Sequence, residues 1–418
     1  METKNKQKSI IKIIRNIILS VLALVILIYV IVNIVFWKKG MPERFFEYEV
    51  LENGTVEIDY YSGPFFLLNI PDTIDGKPVT SIGSFIFDTT WLNDTTHNSM
   101  QRYVTAVHLP DTVEEIHFCA FEDCTNLRTI NIPSKLNYTG WHILTDTKVR
   151  KLVFPEGITE IGCGEDIDLD YEQCYESFAD MKYLQEVVFP ESLTTIGDSA
   201  FMECTSLKSV TLQKGLKKIC TNAFLDCKSL KKITIPDEIE EIEYGAFQKS
   251  GLTEANIPKN LKTDCGCIFR GTPFEETLEK EASDGFVIFN DVMLYKYCGD
   301  DENVVIPDGI ESICDRAFWT GKIIKTVEIP ESVKNINHAF QYSSVESIKL
   351  PNSIKVIDRY AFSDCPSLKK ITIPASVEEI GDHAFENCPS LEQTIIEGSP
   401  KMGEDVFKGS NPLLNNPK

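Results

Sequence analysis

Thirteen cysteines, six histidines and one dense run of carboxylates are the residues of this 418-residue chain best suited to chemistry. Cys265-Gly-Cys267 places two thiols within one short stretch, as a redox pair or half a metal site would. A structural zinc site needs four ligands, and no second C-x-x-C or nearby histidine completes the set. Glu165, Asp166, Asp168, Asp170 and Glu172 alternate like the ligands of a calcium loop. The EF-hand spacing fails, because Tyr171 stands where glycine is required and Ser177 where the closing glutamate belongs. A solvated acidic loop fits this run better.

His97, His108, His117, His142, His338 and His383 are scattered and form no H-E-x-x-H. The chain has no G-x-S-x-G, no P-loop and no dinucleotide-binding G-x-G-x-x-G. No catalytic residue, metal ligand set or cofactor is expected.

What positions these residues is a repeat. FPESLTTIGDSAFMECTSLKSV from Phe189 aligns with LPNSIKVIDRYAFSDCPSLKKI from Leu350 and IPASVEEIGDHAFENCPSLEQT from Ile373. The shared unit is I-P-x-x-V-x-x-I-G-x-x-A-F-x-x-C-x-x-L-x-x-I-x, with a period of 23 residues. A phenylalanine stands eleven residues after its Pro or Gln at Phe121, Phe201, Phe224, Phe247, Phe269, Phe318, Phe362 and Phe385. Phe340 comes one residue early, and Phe178 follows an insertion. Leu136 to Leu144 lacks the A-F pair, and 261–300 is irregular.

Each unit predicts its own structure. L-x-x-I-x-I alternates as a short strand must, and the proline ends that strand by removing a ladder donor. V-x-x-I adds a second inward-facing pair, and A-F falls on a tight turn or short helix. One unit cannot bury its apolar face alone, so neighbours must stack about 4.8 Å apart. About a dozen units predict a β-rich curved solenoid. Cys124, Cys204, Cys227, Cys365 and Cys388 share a slot three residues after the phenylalanine, which elsewhere holds Ser250, Gly321 or Ser343. That exchange points to a small packing position, with an occasional disulfide between neighbouring units within reach.

These residues resemble the BspA-type class of leucine-rich repeats over nearly all of 45–410. FEYEVLENGTVEIDYYSGPFFLLNIPDTIDGKPVTSIG is similar to the family's N-terminal unit. DGFVIFNDVMLYKYCGDDENVVIPDGIESI is similar to the β-rich interruption between its repeat blocks. The resemblance implies a surface-exposed solenoid used for adhesion or protein contact.

Residues 17–37 carry no charge and read as a transmembrane helix, about 31 Å long at 1.5 Å per residue. Phe36 and Trp37, then Lys38 and Lys39, suit an interfacial belt. A cleaved signal peptide is the rival reading, but no small-residue cleavage site follows. Five basic residues precede the span and Lys38, Lys39 and Arg44 follow it, placing the N-terminus in the cytoplasm and the repeats outside. The net charge is −22, and seven of the 41 basic residues fall in the first 40 positions against one of 63 acids. So acidic a remainder disfavours nucleic acid.

The expected organisation is a basic cytoplasmic segment (1–16), the transmembrane helix (17–37), a juxtamembrane and capping unit (38–64) and repeats over 65–274 with insertions at 88–103 and 162–173. A β-rich interruption (275–305), further repeats (306–410) and a tail (411–418) follow. The candidate binding face is the outward side of the strand ladder: Thr129, Asn131, Glu186, Val188, Ser209, Thr211, Lys232, Thr234, Glu254, Asn256, Thr326, Glu328, Ser347, Lys349, Lys370 and Thr372. The ligand expected there is a protein or a glycan, bound without catalysis. A structural role in envelope assembly is the alternative, and an enzyme would need a site built in the insertions or the interruption.

Overall fold

The computed structural model describes residues 2–64, 66–87, 100–162, 177–259, 261, 266–410 and 413–415. The chain is a β-solenoid of about 14 turns. Each turn supplies one rung to each of two parallel ladders. The longer rungs carry the L-x-x-I-x-I segment, for example Lys151–Val153, Glu186–Val188 and Ser209–Thr211 in register. The shorter rungs come from V-x-x-I, as in Glu160–Ile161, Thr195–Ile196, Lys218–Ile219 and Glu241–Ile242. The sequence pattern shows an inward pair there, and the backbone turns it into a second ladder.

The repeat phenylalanines form a stacked column between the ladders. Phe178, Phe201, Phe224, Phe247 and Phe269 stack with ring centroids 5.5–5.8 Å apart and planes within 13°. Fully burying one such ring stabilises by roughly 1.5–3 kcal/mol, and stacking adds about 0.5–1.5 kcal/mol. In the irregular unit Ile143–Leu144 replaces Ala–Phe, and Phe121 N–H donates to the Ile143 carbonyl at 3.0 Å, as Phe201 does to Ala223 at 2.9 Å.

The turn around each phenylalanine is held by two left-handed residues, two before and two after the ring. Ser199 and Glu203 have φ of 50° and 59°, Asn222 and Asp226 of 56° and 59°, and His383 and Asn387 of 57° and 54°. Asp and Asn tolerate this region best among non-glycine residues, which accounts for their frequency after the ring. The glycine of I-G answers close stacking instead: a Cβ on Gly381 would lie 2.5 Å from Arg359 N.

Besides its strands, the interruption region holds an α-helix, α2 (Pro273–Glu281), which begins two residues before the expected boundary. Thr272 caps it, its hydroxyl accepting Glu275 N–H at 3.0 Å, and Pro273 occupies the first turn. An antiparallel hairpin, Phe286–Phe289 with Met293–Tyr297, follows. Its second strand serves two cores, the alternation broken by a bulge at Tyr295: Met293 and Tyr295 belong to the first core, Leu294 and Tyr297 to the second. Tyr297 then starts a new column on Phe318, which continues through Phe340, Phe362, Phe385 and Phe407. The tail is also not free of the fold, since Leu413–Asn415 pairs in parallel with Gln393–Ile396.

The apolar helix α1 runs from Glu2 to Lys39, longer at both ends than the 17–37 span read from hydropathy. It is long and apolar enough to cross a membrane. Its C-terminal turns are packed against the first rung, Leu67–Asn69. Asn33 is fully buried: its amide donates to Tyr29 O at 2.9 Å and accepts Phe66 N–H at 3.0 Å. Asn69 donates to Trp37 O at 2.7 Å. The solenoid therefore covers one side of residues 29–37, and the stretch Ile13–Ile28 stays exposed.

Candidate binding face

Strand alternation puts the expected residues on the outside of the long-rung ladder. Thr129, Ser209, Thr211, Lys232, Thr234, Glu254, Asn256, Thr326, Glu328, Lys349 and Lys370 are exposed, and Asn131, Glu186, Val188, Ser347 and Thr372 are half-buried. Parallel register aligns them in rows. Glu186 faces Ser209, Val188 faces Thr211, and Thr326, Ser347 and Lys370 follow one another in a second row with Glu328, Lys349 and Thr372 beside it.

The expected single continuous face is divided. Pairing runs through the rung pairs named above for 151–211 and through 303–415, and Lys232 meets Glu254 in one isolated bridge. A groove of about 810 Å³ opens beside it, lined by Ser209, Thr211, Lys232, Thr234 and Asn256 from the expected set. Lys208, Lys214, Leu212 and Ile235 also line it, together with the acids Asp237 and Glu238. Sequence reading missed Lys208 and Lys214 because they flank the alternating segment, though both follow from the period.

Several of the expected residues already have work within the fold. Asn131 accepts Leu109 N–H and donates to Leu109 O, both at 2.8 Å. Asn256 does the same to Ile235, at 2.7 Å each. Both amides thus satisfy the last backbone groups of the preceding rung, just before its proline. Lys232 pairs with Glu254 at 2.5 Å, and Glu186 with Lys151 at 2.8 Å. Such exposed pairs are worth about 0–1 kcal/mol and break readily on binding.

One titratable cluster spans three turns. Asp198, Cys220 and Glu243 bring two carboxylates and a thiol within 4.8 Å of one another. Thr221 N–H donates to both acids at 3.0 Å, and Lys218 lies 2.6 Å from Glu243. Burial, then the charge of Glu243, raises the Asp198 pKa. The acids are satisfied by the protein's own donors. Only the 23-residue period could have grouped them, since no local motif joins them. The acidic run 165–172, Cys265 and His97 lie outside the described residues. Cys267 is buried with its thiol pushed up to about 11, by burial first. The described histidines are held locally and apart, for example His117 by Glu57 at 3.1 Å and His338 by Asp315 at 3.0 Å.

The chain is similar to several solved structures. A leucine-rich cell surface protein of Faecalibacterium prausnitzii shares 24% identity, covering 85% of this chain and 87% of that one, with a TM-score of 0.41. A leucine-rich repeat protein of Bacteroides ovatus shares 24% over 87% and 90%, with a TM-score of 0.36. The pneumococcal vaccine antigen PcpA shares 20% over 87% and 84%, with a TM-score of 0.41. No curated protein matches the chain. The model of the BspA-type leucine-rich repeat region matches in six copies, across 99–164, 174–277 and 291–413. With most of its length so matched, and with the rungs and phenylalanine columns described above, the chain belongs to the BspA-type leucine-rich repeat family.

Proposed function

We propose that this is a membrane-anchored protein that displays its solenoid outside the cell and binds a protein partner there, without catalysis. The observation that carries the reading is the groove at the divided rung. It offers the hydroxyls of Ser209, Thr211 and Thr234, an apolar floor of Leu212 and Ile235, and three lysines beside Asp237 and Glu238. A face of this kind, on a rigid repeat array, suits recognition of an extended partner. The exposed apolar stretch of α1 supports anchoring, and the five basic residues before residue 16 support a cytoplasmic N-terminus.

Two measurements on the full chain test this reading. Protease added to intact cells removes a C-terminal epitope if the solenoid is outside; protection until permeabilisation sinks the topology. A photo-crosslinker at Thr211, inside the groove, captures a partner that one at Val356, on the short-rung ladder, does not. Equal capture from both positions rejects the groove. A stoichiometric partner in the same membrane would favour the envelope-assembly role instead.

A further inference from the structure

Where the two repeat blocks meet, two arginines are laid on aromatic rings at the turn side of the solenoid. The Arg270 guanidinium lies 3.2 Å from the ring centre of Trp319. The Arg316 guanidinium lies 4.6 Å from Tyr244 and 5.2 Å from Tyr342, and donates to the Tyr244 hydroxyl and, at 3.1 Å, to Gln341 Oε1. Trp319 is 37% exposed and Tyr342 40%.

The nearby acids are committed elsewhere. Glu275 accepts Gly271 N–H at 2.9 Å and pairs with Lys296 at 3.0 Å. Asp315 holds His338, through its backbone N–H at 2.9 Å and its ring at 3.0 Å. Among the described residues neither guanidinium forms an ion pair with a carboxylate. A cavity of about 20 Å³, lined also by Glu275, Lys296 and Asp315, lies between the two arginines, room for about one water.

Rings cover the guanidinium faces and strip their hydration; Arg316 spends two edge donors on Tyr244 and Gln341, and the N–H groups that remain on the two arginines can fork onto a carboxylate. Arginine, tryptophan and tyrosine are also the residues that dominate binding energy at interfaces. We propose that this seam is a second docking site, separate from the ladder groove. Its ligand is an acidic peptide segment of a partner protein, with carboxylates on Arg270 and Arg316 and an adjacent apolar side chain on Trp319 and Tyr342. The net charge of −22 selects against a long polyanion, whereas a few carboxylates set among apolar residues meet this local positive site without crossing the acidic surface.

The test uses the full chain in detergent micelles and a fluorescein-labelled peptide of alternating glutamate and leucine. A glutamine–leucine peptide of the same length and a heparin fragment serve as comparisons. Anisotropy should rise with the glutamate peptide only, weaken with added salt, and show at least a tenfold weaker affinity in R270Q/R316Q. K401A, on the last short rung, should leave it unchanged. If the double variant shifts the urea midpoint, W319L and R270K take its place, with a several-fold loss expected in each. Equal binding of the glutamine peptide, preferential binding of heparin, or unchanged affinity in the arginine variants overturns the proposal. None of these results bears on capture at Thr211, so the two sites fail independently.

Discussion

The Cys388 thiol donates to the carbonyl oxygen of Phe362, 3.0 Å away and 26 residues earlier. The same bond joins Cys204 to Phe178 and Cys227 to Phe201 at 3.2 Å, and Cys365 to Phe340 at 2.9 Å. Ser410 makes it with a hydroxyl, to Phe385 O at 2.6 Å. The slot three residues after the ring therefore selects a small donor, and small size alone is not its whole requirement. Each donor satisfies a buried carbonyl in the turn of the preceding unit.

Replacing Cys227 separates size from donation. Cys227→Ser keeps a donor and should cost less than about 1 kcal/mol, whereas Cys227→Ala leaves the buried Phe201 carbonyl only the long bond from Cys204 N–H at 3.4 Å and should cost about 1–3 kcal/mol. Urea midpoints decide between them. Equal losses would mean that the slot asks for size only.

Burial also silences these thiols. Cys204 is pushed up to about 12, so its thiolate is scarce at neutral pH. Iodoacetamide followed by peptide mass spectrometry should label half-buried Cys298 in the native protein well before Cys204. Cys204 should react only as urea unfolds the solenoid. Comparable native labelling at both would contradict the packing described.

The phenylalanine column should fail unevenly. Phe224→Ala removes a fully buried ring stacked on both sides and should cost about 3–5 kcal/mol. Phe224→Leu should cost clearly less, since Leu144 occupies the same slot elsewhere. Denaturant unfolding followed by circular dichroism measures both. An alanine variant no worse than the leucine variant would remove the column from the account of stability.

Much of this architecture was legible because a 23-residue period places like residues at like positions. The phenylalanines, the rung prolines and the outward alternation all follow from it. What escaped is what the period does not encode. Asn33 sits in an apolar run, and nothing nearby announces that its amide will meet Phe66. Asn131 and Asn256 alternate outward like ligand contacts, yet their amides close the rung before. Helix α2 did carry a local signal, Thr272-Pro273 with Glu275 three residues after the cap, within a run otherwise read as β-rich.

One histidine offers a pH reading. The hydrogen bond that the His338 ring donates to Asp315 raises the His338 pKa above its ordinary value, and the charges of Asp315 and Asp358 add to it while burial and Arg316 oppose. A raised histidine pKa means that protonated His338 stabilises the fold. That contribution is complete below the unfolded value and is lost as pH rises through the folded one. NMR titration should find His338 above an exposed histidine, and Asp315→Asn should bring it down. No change in that variant would assign the shift to another group.

The ring columns also set where the molecule can bend. Ring-on-ring stacking runs from Phe178 to Phe269, where Phe274 meets it edge-on at 85°, and begins again at Tyr297, while Leu144 already interrupts the column before Phe178. Stiffness along a stack persists only while like surfaces press on like. The solenoid therefore has two joints where compliance gathers, and a load pulling along it is shared between the Leu144 unit and the hairpin.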